Sequence, residues 1–333
     1  MRIGVVGAGS WGTTVAAMVA PKAETTLWAR RPALAEAINS RHENPDYLAG
    51  AVLPDALRAS TSLDETLDGV ELIVMAVPSH GFRDVLIQAR SNVPNDVPIL
   101  SLSKGIEQGS LMRMTQVAAD VLPDHRFDRI GVLTGPNLAR EIAAGQPAAT
   151  VIAMQDSTTA FSLQDLFMSR SFRVYTNPDV TGSESAGALK NVMAIAAGMA
   201  DGLGFGDNTL ATLITRALAE LTRLGLAMGG HPATFAGLAG MGDLIATCMS
   251  SQSRNHQVGY GLGRGQSIED IIAEMSMVAE GVKSTQGVLD LAARYDLEMP
   301  IAEQVARVLY DGASVPEAIA NLMGRSAKPE RAH

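Results

Sequence analysis

"RIGVVGAGSWGTTVAAMVA" (residues 2–20) decides the fold. It opens on a short apolar run that ends in glycine, the mark of a buried strand. Gly7, Gly9 and Gly12 follow in G-x-G-x-x-G spacing, and "WGTTVAAMVA" continues with helical spacing. Such a glycine pattern is weak when isolated. Between a strand and a helix it is the turn that binds dinucleotides. Gly7 permits the tight turn, Gly9 lets backbone approach a pyrophosphate, and Gly12 allows close packing of helix on strand. The helix start then offers free N–H groups and a positive dipole end to an anion. The plain alternative is a glycine-rich strand–helix turn with no ligand.

Working outward, strand and helix alternate to about residue 177. "TTLWAR", "ELIVMAVP", "VPILSLSKG", "IGVLTGPN", "AATVIAM" and "FRVYTN" read as strands. "GFRDVLIQAR", "SLMRMTQVAADVL", a short helix opening on "ARE", and "SLQDLFMS" read as helices between them. Strands separated by helices imply βαβ units and a parallel sheet with flanking helices. From residue 178 the β-rich runs stop, and every long segment has helical spacing, from "SAGALKNVMAIAAGMADG" to "VPEAIANLMG". The expected organisation is an α/β dinucleotide-binding domain over 1–177, an all-α domain over 178–325 and a polar tail over 326–333.

Bulk composition narrows the class. Of 333 residues, 47% are hydrophobic and 18% charged, which suits a globular chain and excludes a disordered one. A net charge of −9 argues against nonspecific nucleic-acid binding, which needs a basic face. An anionic ligand would need a local positive pocket. One cysteine, Cys248, allows no internal disulfide. The chain starts directly on a strand-like run, with no signal-type segment and no apolar run long enough for a membrane span. The expectation is a soluble cytoplasmic protein without membrane insertion. His42, His80, His125, His231, His256 and His333 show no metal-ligand spacing, so no metal site is assigned.

Four further features carry chemistry. After "TTLW", where an NAD-selective site places a carboxylate for the ribose 2′-hydroxyl, the chain has Ala29, Arg30 and Arg31. Guanidinium groups suit a 2′-phosphate, so NADP is accepted; the alternative is two surface arginines before Pro32. Lys104 and the "TGPNLAREI" stretch, with Gly135 and Asn137, lie at the carboxyl ends of strands, where such sheets meet ligands. Lys190 stands alone among small and apolar residues, with no other Lys or Arg between Arg173 and Arg216. Burial should lower its pKa, which makes it a candidate general acid or base. The alternatives are a lysine that snorkels or one that pairs with a carboxylate such as Asp243. Finally, Ser253-Arg254-Asn255 groups hydroxyl, guanidinium and amide donors, a set that suits phosphate; the alternative is a helix cap followed by surface residues. Together these point to hydride transfer to a small phosphorylated ketone.

At these residues the chain resembles the bacterial NAD(P)-dependent glycerol-3-phosphate dehydrogenases. The likeness runs through "GAGSWGTTVA", "INSRHENPDYLAGAVLP", "SLSKGIE", "TGPNLAREIA", "GALKNVMAIAAGMADGLGFGDNTLATLITRALAE", "GMGDLIATCMSSQSRN" and "VAEGVKST". It implies a Rossmann-like N-domain, a helical C-domain, a homodimer, and reduction of dihydroxyacetone phosphate to sn-glycerol 3-phosphate for glycerophospholipid synthesis, with NADPH or NADH. Position by position, it implies that Gly7, Gly9, Ser10, Trp11, Gly12, Arg30, Arg31, Ala139, Val278 and Glu280 contact the cofactor. Lys104 and Arg254 would serve cofactor and substrate. Gly135, Asn137, Asp243, Ser253 and Asn255 would contact the substrate, and Lys190 would be the proton donor and acceptor. The family commonly has Ser or Thr where this chain has Asn137. Two rivals stay open: a related two-domain dehydrogenase of hydroxy acids with a lysine base, and a non-catalytic NADP-sensing protein.

Overall fold

The structure, a computed structural model, describes residues 1–275 and 279–327. Eight strands form one sheet: β1 Arg2–Val6, β2 Glu24–Trp28, β3 Leu57–Ser60, β4 Leu72–Met75, β5 Ile99–Ser101, β6 Ile130–Thr134, β7 Ala148–Ala153 and β8 Phe172–Asn177. Their order is β3-β2-β1-β4-β5-β6-β7-β8. The first six are parallel; β7 pairs antiparallel with β6, and β8 runs parallel to β7. Chain order reverses at β1, which lies between β2 and β4. Doubly wound sheets bind ligands at such a switch point, outside the strands' carboxyl ends. The glycine turn follows β1 directly, so topology alone puts it there.

Both sheet faces are covered, which is why the strands read as unbroken apolar runs. The two-residue alternation sends Ile3, Val5, Leu27, Leu72, Val74 and Leu100 into one core. It sends Val6, Trp28, Ile73, Met75 and Ile99 into the other. The helices among the strands are α1 Ser10–Val19, α2 Pro32–Arg41, α3 Leu63–Leu67, α4 Ser79–Ala89, α5 Met114–Val121, α6 Ala139–Ala143 and α7 Ser157–Phe167. The sequence reading contains no strand at Leu57–Ser60. That run is four residues long and includes Arg58 and Ser60, so it carries no apolar signal. Its pairing with Thr25–Trp28 of β2 makes it a strand.

Beyond β8 every element is helical: α8 Val180–Gly202, α9 Asp207–Ala227, α10 Pro232–Phe235, α11 Asp243–Met249, α12 Arg254–Gly263, α13 Ile268–Glu274, α14 Glu280–Arg294, α15 Pro300–Tyr310 and α16 Val315–Met323. A parallel-type sheet flanked by helices, followed by a helical region, is the fold class the sequence implies. Packing divides the chain into two compact units: Met1–Ala188 with Gly225–Ala246, and Leu189–Leu224 with the chain from Thr247 on. The second unit is built around helices that touch through backbone. Side chains added at Gly198 or Gly202 of α8 would strike the His256 or Tyr260 carbonyls of α12. Side chains at Gly259 or Gly263 of α12 would strike the Ile195 or Met199 carbonyls of α8. No helix among the described residues is long and apolar enough to cross a membrane.

Candidate active site

In the sheet unit, the three glycines of the first turn have separate tasks. Gly7 adopts φ +122°, a conformation L side chains rarely take. A Cβ on Gly12 would collide with the Gly7 carbonyl and crowd Ala76, so its absence lets α1 sit against the turn. Gly9 has no atom within 4 Å of where its Cβ would lie. That leaves an open stretch of backbone at the start of a ten-residue helix. Trp11 Nε1, one residue into that helix, is buried without a hydrogen-bond partner. An open cradle, a helix start and an orphaned donor fit a dinucleotide's pyrophosphate and its surroundings. Ser10 Oγ donates to the Tyr47 carbonyl at 2.5 Å. Thr14 Oγ1 donates to the Ser10 carbonyl at 2.9 Å and lies 3.4 Å from the Ala139 carbonyl, which ties the turn to the start of α6. Beyond β2, Arg30 is exposed, whereas Arg31 pairs with Asp46 at 2.6 Å and lies over the Tyr47 ring.

The loops after β5 and β6 meet in the same unit. Lys104 Nζ donates to Asp243 Oδ2 at 2.6 Å and to the Gly135 carbonyl at 3.2 Å. Asp243 is only 2% exposed, so its charge is compensated by pairing rather than by water. Gly135, at φ +138°, turns the chain after β6. Asn137 Nδ2 donates to Thr150 Oγ1 at 2.9 Å, and Thr150 spends its own proton on the Thr134 carbonyl. The Asn137 amide is therefore oriented by Thr150, and its Oδ1 is buried without a partner. Gly187 of α8 packs on Lys104 and on Thr134, whose Oγ1 would lie 3.0 Å from a Cβ at that glycine.

In the helical unit, Lys190 sits in the middle of α8 and is 4% exposed. Its Nζ donates to Thr247 Oγ1 at 2.5 Å and lies 3.4 Å from Asn191 Oδ1. Ser253 is the N-cap of α12, its hydroxyl accepting from the His256 N–H at 3.3 Å. Arg254 opens that helix with its side chain exposed, and Asn255 behind it is buried. Asn255 Oδ1 accepts from the Gly281 N–H at 2.9 Å, which joins the start of α12 to the start of α14 beside Glu280. A Cβ on Gly281 would come within 2.8 Å of both the Asn191 carbonyl and Asn255 Oδ1. Asn191 and Asn255 thus share one backbone approach. Val278 lies outside the described residues.

Sequence reading missed several of these groups. Thr247 follows Asp243 by one helical turn, a spacing that could have marked it. Asn191 adjoins Lys190 and carried no separate signal. Asn44 and Asp46, in "HENPDYL", lie in a stretch that carried only the family likeness, with no role read for either residue. Arg113 and Glu184, a buried pair at 2.6 Å, lie 71 positions apart and nothing local links them.

Two family models match most of the chain. The NAD-dependent glycerol-3-phosphate dehydrogenase N-terminus matches residues 2–160, and the C-terminus of the same enzyme matches residues 179–320. The chain belongs to the NAD-dependent glycerol-3-phosphate dehydrogenase family. Within that family it is 54% identical to glycerol-3-phosphate dehydrogenase (NAD(P)+) 2 of Sphingopyxis alaskensis, over 100% of this chain and 99% of that one. It is 51% identical to the Thermobifida fusca enzyme, over 99% and 98% of the two chains. The crystal structure of glycerol-3-phosphate dehydrogenase from Coxiella burnetii superposes with a TM-score of 0.92 at 35% identity, over 97% of this chain and 99% of that one. This family member is therefore an NAD(P)-dependent oxidoreductase.

Proposed function

We propose that this chain reduces dihydroxyacetone phosphate to sn-glycerol 3-phosphate, reversibly, with NADPH or NADH, and that Lys190 is its general acid and base. The observation that carries the lysine's role is an ammonium almost wholly removed from water yet held at a defined point of α8 by Thr247. A charge in that setting is costly unless it is used or compensated.

The reduced nicotinamide, when bound, supplies the hydride that the carbonyl carbon gains. Lys190 supplies the proton that the carbonyl oxygen gains, so no free alkoxide accumulates. In the reverse direction its neutral amine takes that proton back. Lys104, Asp243, Gly135 and Asn137 bind the substrate's polar groups, Ser253, Arg254 and Asn255 bind its phosphate, and Lys104 and Arg254 also serve cofactor anions. Gly7, Gly9, Ser10, Trp11, Gly12, Arg30, Arg31, Ala139, Val278 and Glu280 hold the cofactor. Arg254 adds positive charge for an anionic substrate against the acidic net charge, whereas the charge of Lys104 is shared with Asp243. The reading extends to a cytoplasmic homodimer that supplies glycerophospholipid synthesis, with residues 1–177 as the dinucleotide-binding domain and 178–325 as the helical domain.

The test follows absorbance of the reduced nicotinamide with NADPH and with NADH. Dihydroxyacetone phosphate, unphosphorylated dihydroxyacetone and a 2-keto acid are offered in turn. Turnover confined to the phosphorylated ketone is expected. Turnover of the keto acid instead would make the chain a hydroxy-acid dehydrogenase. Cofactor binding without turnover of any of them would make it a sensor.

A further inference from the structure

The segment Asn44–Tyr47 touches the proposed cofactor site at both ends, and neither the glycine motif nor the arginines account for it. Asn44 is fully buried. Its Nδ2 donates to the Ala8 carbonyl at 3.0 Å and to Thr13 Oγ1 at 2.8 Å. Its Oδ1 accepts from the Tyr47 N–H at 3.0 Å. The Ala8 carbonyl can only accept, so the amide cannot be flipped without leaving both ends unmatched. Ala8 lies between Gly7 and Gly9, and Thr13 lies in the first turn of α1. Asn44 therefore ties the backbone between Gly7 and Gly9 to the first turn of α1. Tyr47 adds to the tie by accepting from Ser10 Oγ at 2.5 Å.

The other end of the segment handles Arg31. Asp46 pairs with its guanidinium at 2.6 Å, and the Tyr47 ring lies 5.3 Å below it. Arg30 makes no ion pair among the described residues. Of two adjacent cations placed where a ribose 2′-substituent is read, one has a free field and the other is largely cancelled.

Resting on the cofactor reading above, we propose that Asn44–Tyr47 is a positioning strap for the dinucleotide. Asn44 holds the glycine turn in its phosphate-binding form. Asp46, by neutralising Arg31, holds down the preference for a 2′-phosphate and keeps NADH usable. The two residues therefore have different signatures. Loss of Asn44 weakens NADPH and NADH alike, because both carry the pyrophosphate. Loss of the Asp46 charge favours only the cofactor with the extra phosphate.

The experiment is isothermal titration of the full chain with NADPH and with NADH, without substrate, alongside thermal melts. For Asp46→Asn, an exposed site with little bearing on folding, NADPH binds about threefold to tenfold more tightly and NADH is unchanged, the scale of one partly screened charge. For Asn44→Ala, both dissociation constants rise about tenfold and their ratio is kept, the scale of one lost hydrogen bond to a positioned group. An unchanged or reversed ratio in Asp46→Asn overturns the proposal, as does a shifted ratio or unaltered binding in folded Asn44→Ala. If Asn44→Ala does not fold, the Asp46→Asn ratio decides. Wild-type protein that binds neither cofactor overturns the cofactor reading itself, a result distinct from wild-type binding with indifferent variants.

Discussion

The two units use the same residues for opposite ends. In the sheet unit, glycines shape a turn: Gly7 takes a conformation other residues avoid, and Gly9 keeps a strip of backbone open. In the helical unit, Gly198, Gly202, Gly259 and Gly263 have ordinary helical backbone, and their value is that two helices meet where side chains would have stood. Buried glutamates differ as well. Glu184 in the sheet unit accepts from the Arg113 guanidinium and from the N–H and hydroxyl of Thr115. Glu220 in the helical unit is equally buried but accepts from the backbone N–H of Ile301, at the start of α15. Burial pushes its carboxyl up to about 7, against the smaller opposing effect of that hydrogen bond. Both glutamates are held by partners distant in sequence; the sheet unit compensates its buried charge with a guanidinium and a hydroxyl, and the helical unit with backbone N–H.

The largest expected effect separates chemistry from packing on α8. Lys190→Ala should cut turnover by about 10²–10⁴-fold while calorimetry still detects cofactor binding, the range for loss of a general acid. Near-normal turnover would leave Lys190 as a packing residue like its neighbours.

Gly259→Ala attacks the packing instead. The added methyl meets the Ile195 carbonyl, which cannot yield without moving α8. Denaturant unfolding should show a loss of about 3 kcal/mol, the upper part of the range for overpacking. A loss below about 0.5 kcal/mol would mean that α8 and α12 are not in backbone contact.

Glu220 offers a contrast in pH dependence. Its folded pKa is raised from 4.5 to about 7, so the stability linked to it is fully present below 4.5 and is lost as pH rises through 7. Glu220→Gln keeps an acceptor for Ile301 and removes the titration. The difference in unfolding free energy between wild type and variant should change by up to about 3 kcal/mol across that window. Parallel pH curves would refute the burial argument.

The smallest effect on folding is predicted at the turn. Gly9 has φ −71°, and a Cβ there meets nothing, so Gly9→Ala should alter stability by less than about 0.5 kcal/mol. Cofactor affinity should nevertheless fall about tenfold, because the methyl stands where the pyrophosphate approaches. Unchanged affinity would move the phosphate elsewhere and erase the distinction between the two sets of glycines.

Much of the proposed site could be read from the sequence because its signals are short. The turn at Gly7, Gly9 and Gly12 spans six residues, and Ser253 announces the start of α12 within one turn of helix. Lys190 stood out because a charge in a run of small residues is anomalous. Thr247, its hydrogen-bond partner, is 57 positions away and ordinary in composition. Asn44 acts on Ala8 from 36 positions away, and no local pattern links the two. β3 went unread because four residues with two polar members become a strand only when β2 offers them a partner.

By itself, then, the sequence determined the layered α/β architecture, the dinucleotide turn and the helical second half. These follow from periodicity and backbone chemistry that operate over a few consecutive residues. Only the tertiary structure decided that Asp243 pairs with Lys104, that Thr150 orients Asn137, and that glycines on α8 and α12 face one another. Those choices depend on which surfaces the folded chain brings within a few ångströms, and local sequence carries no record of that distance.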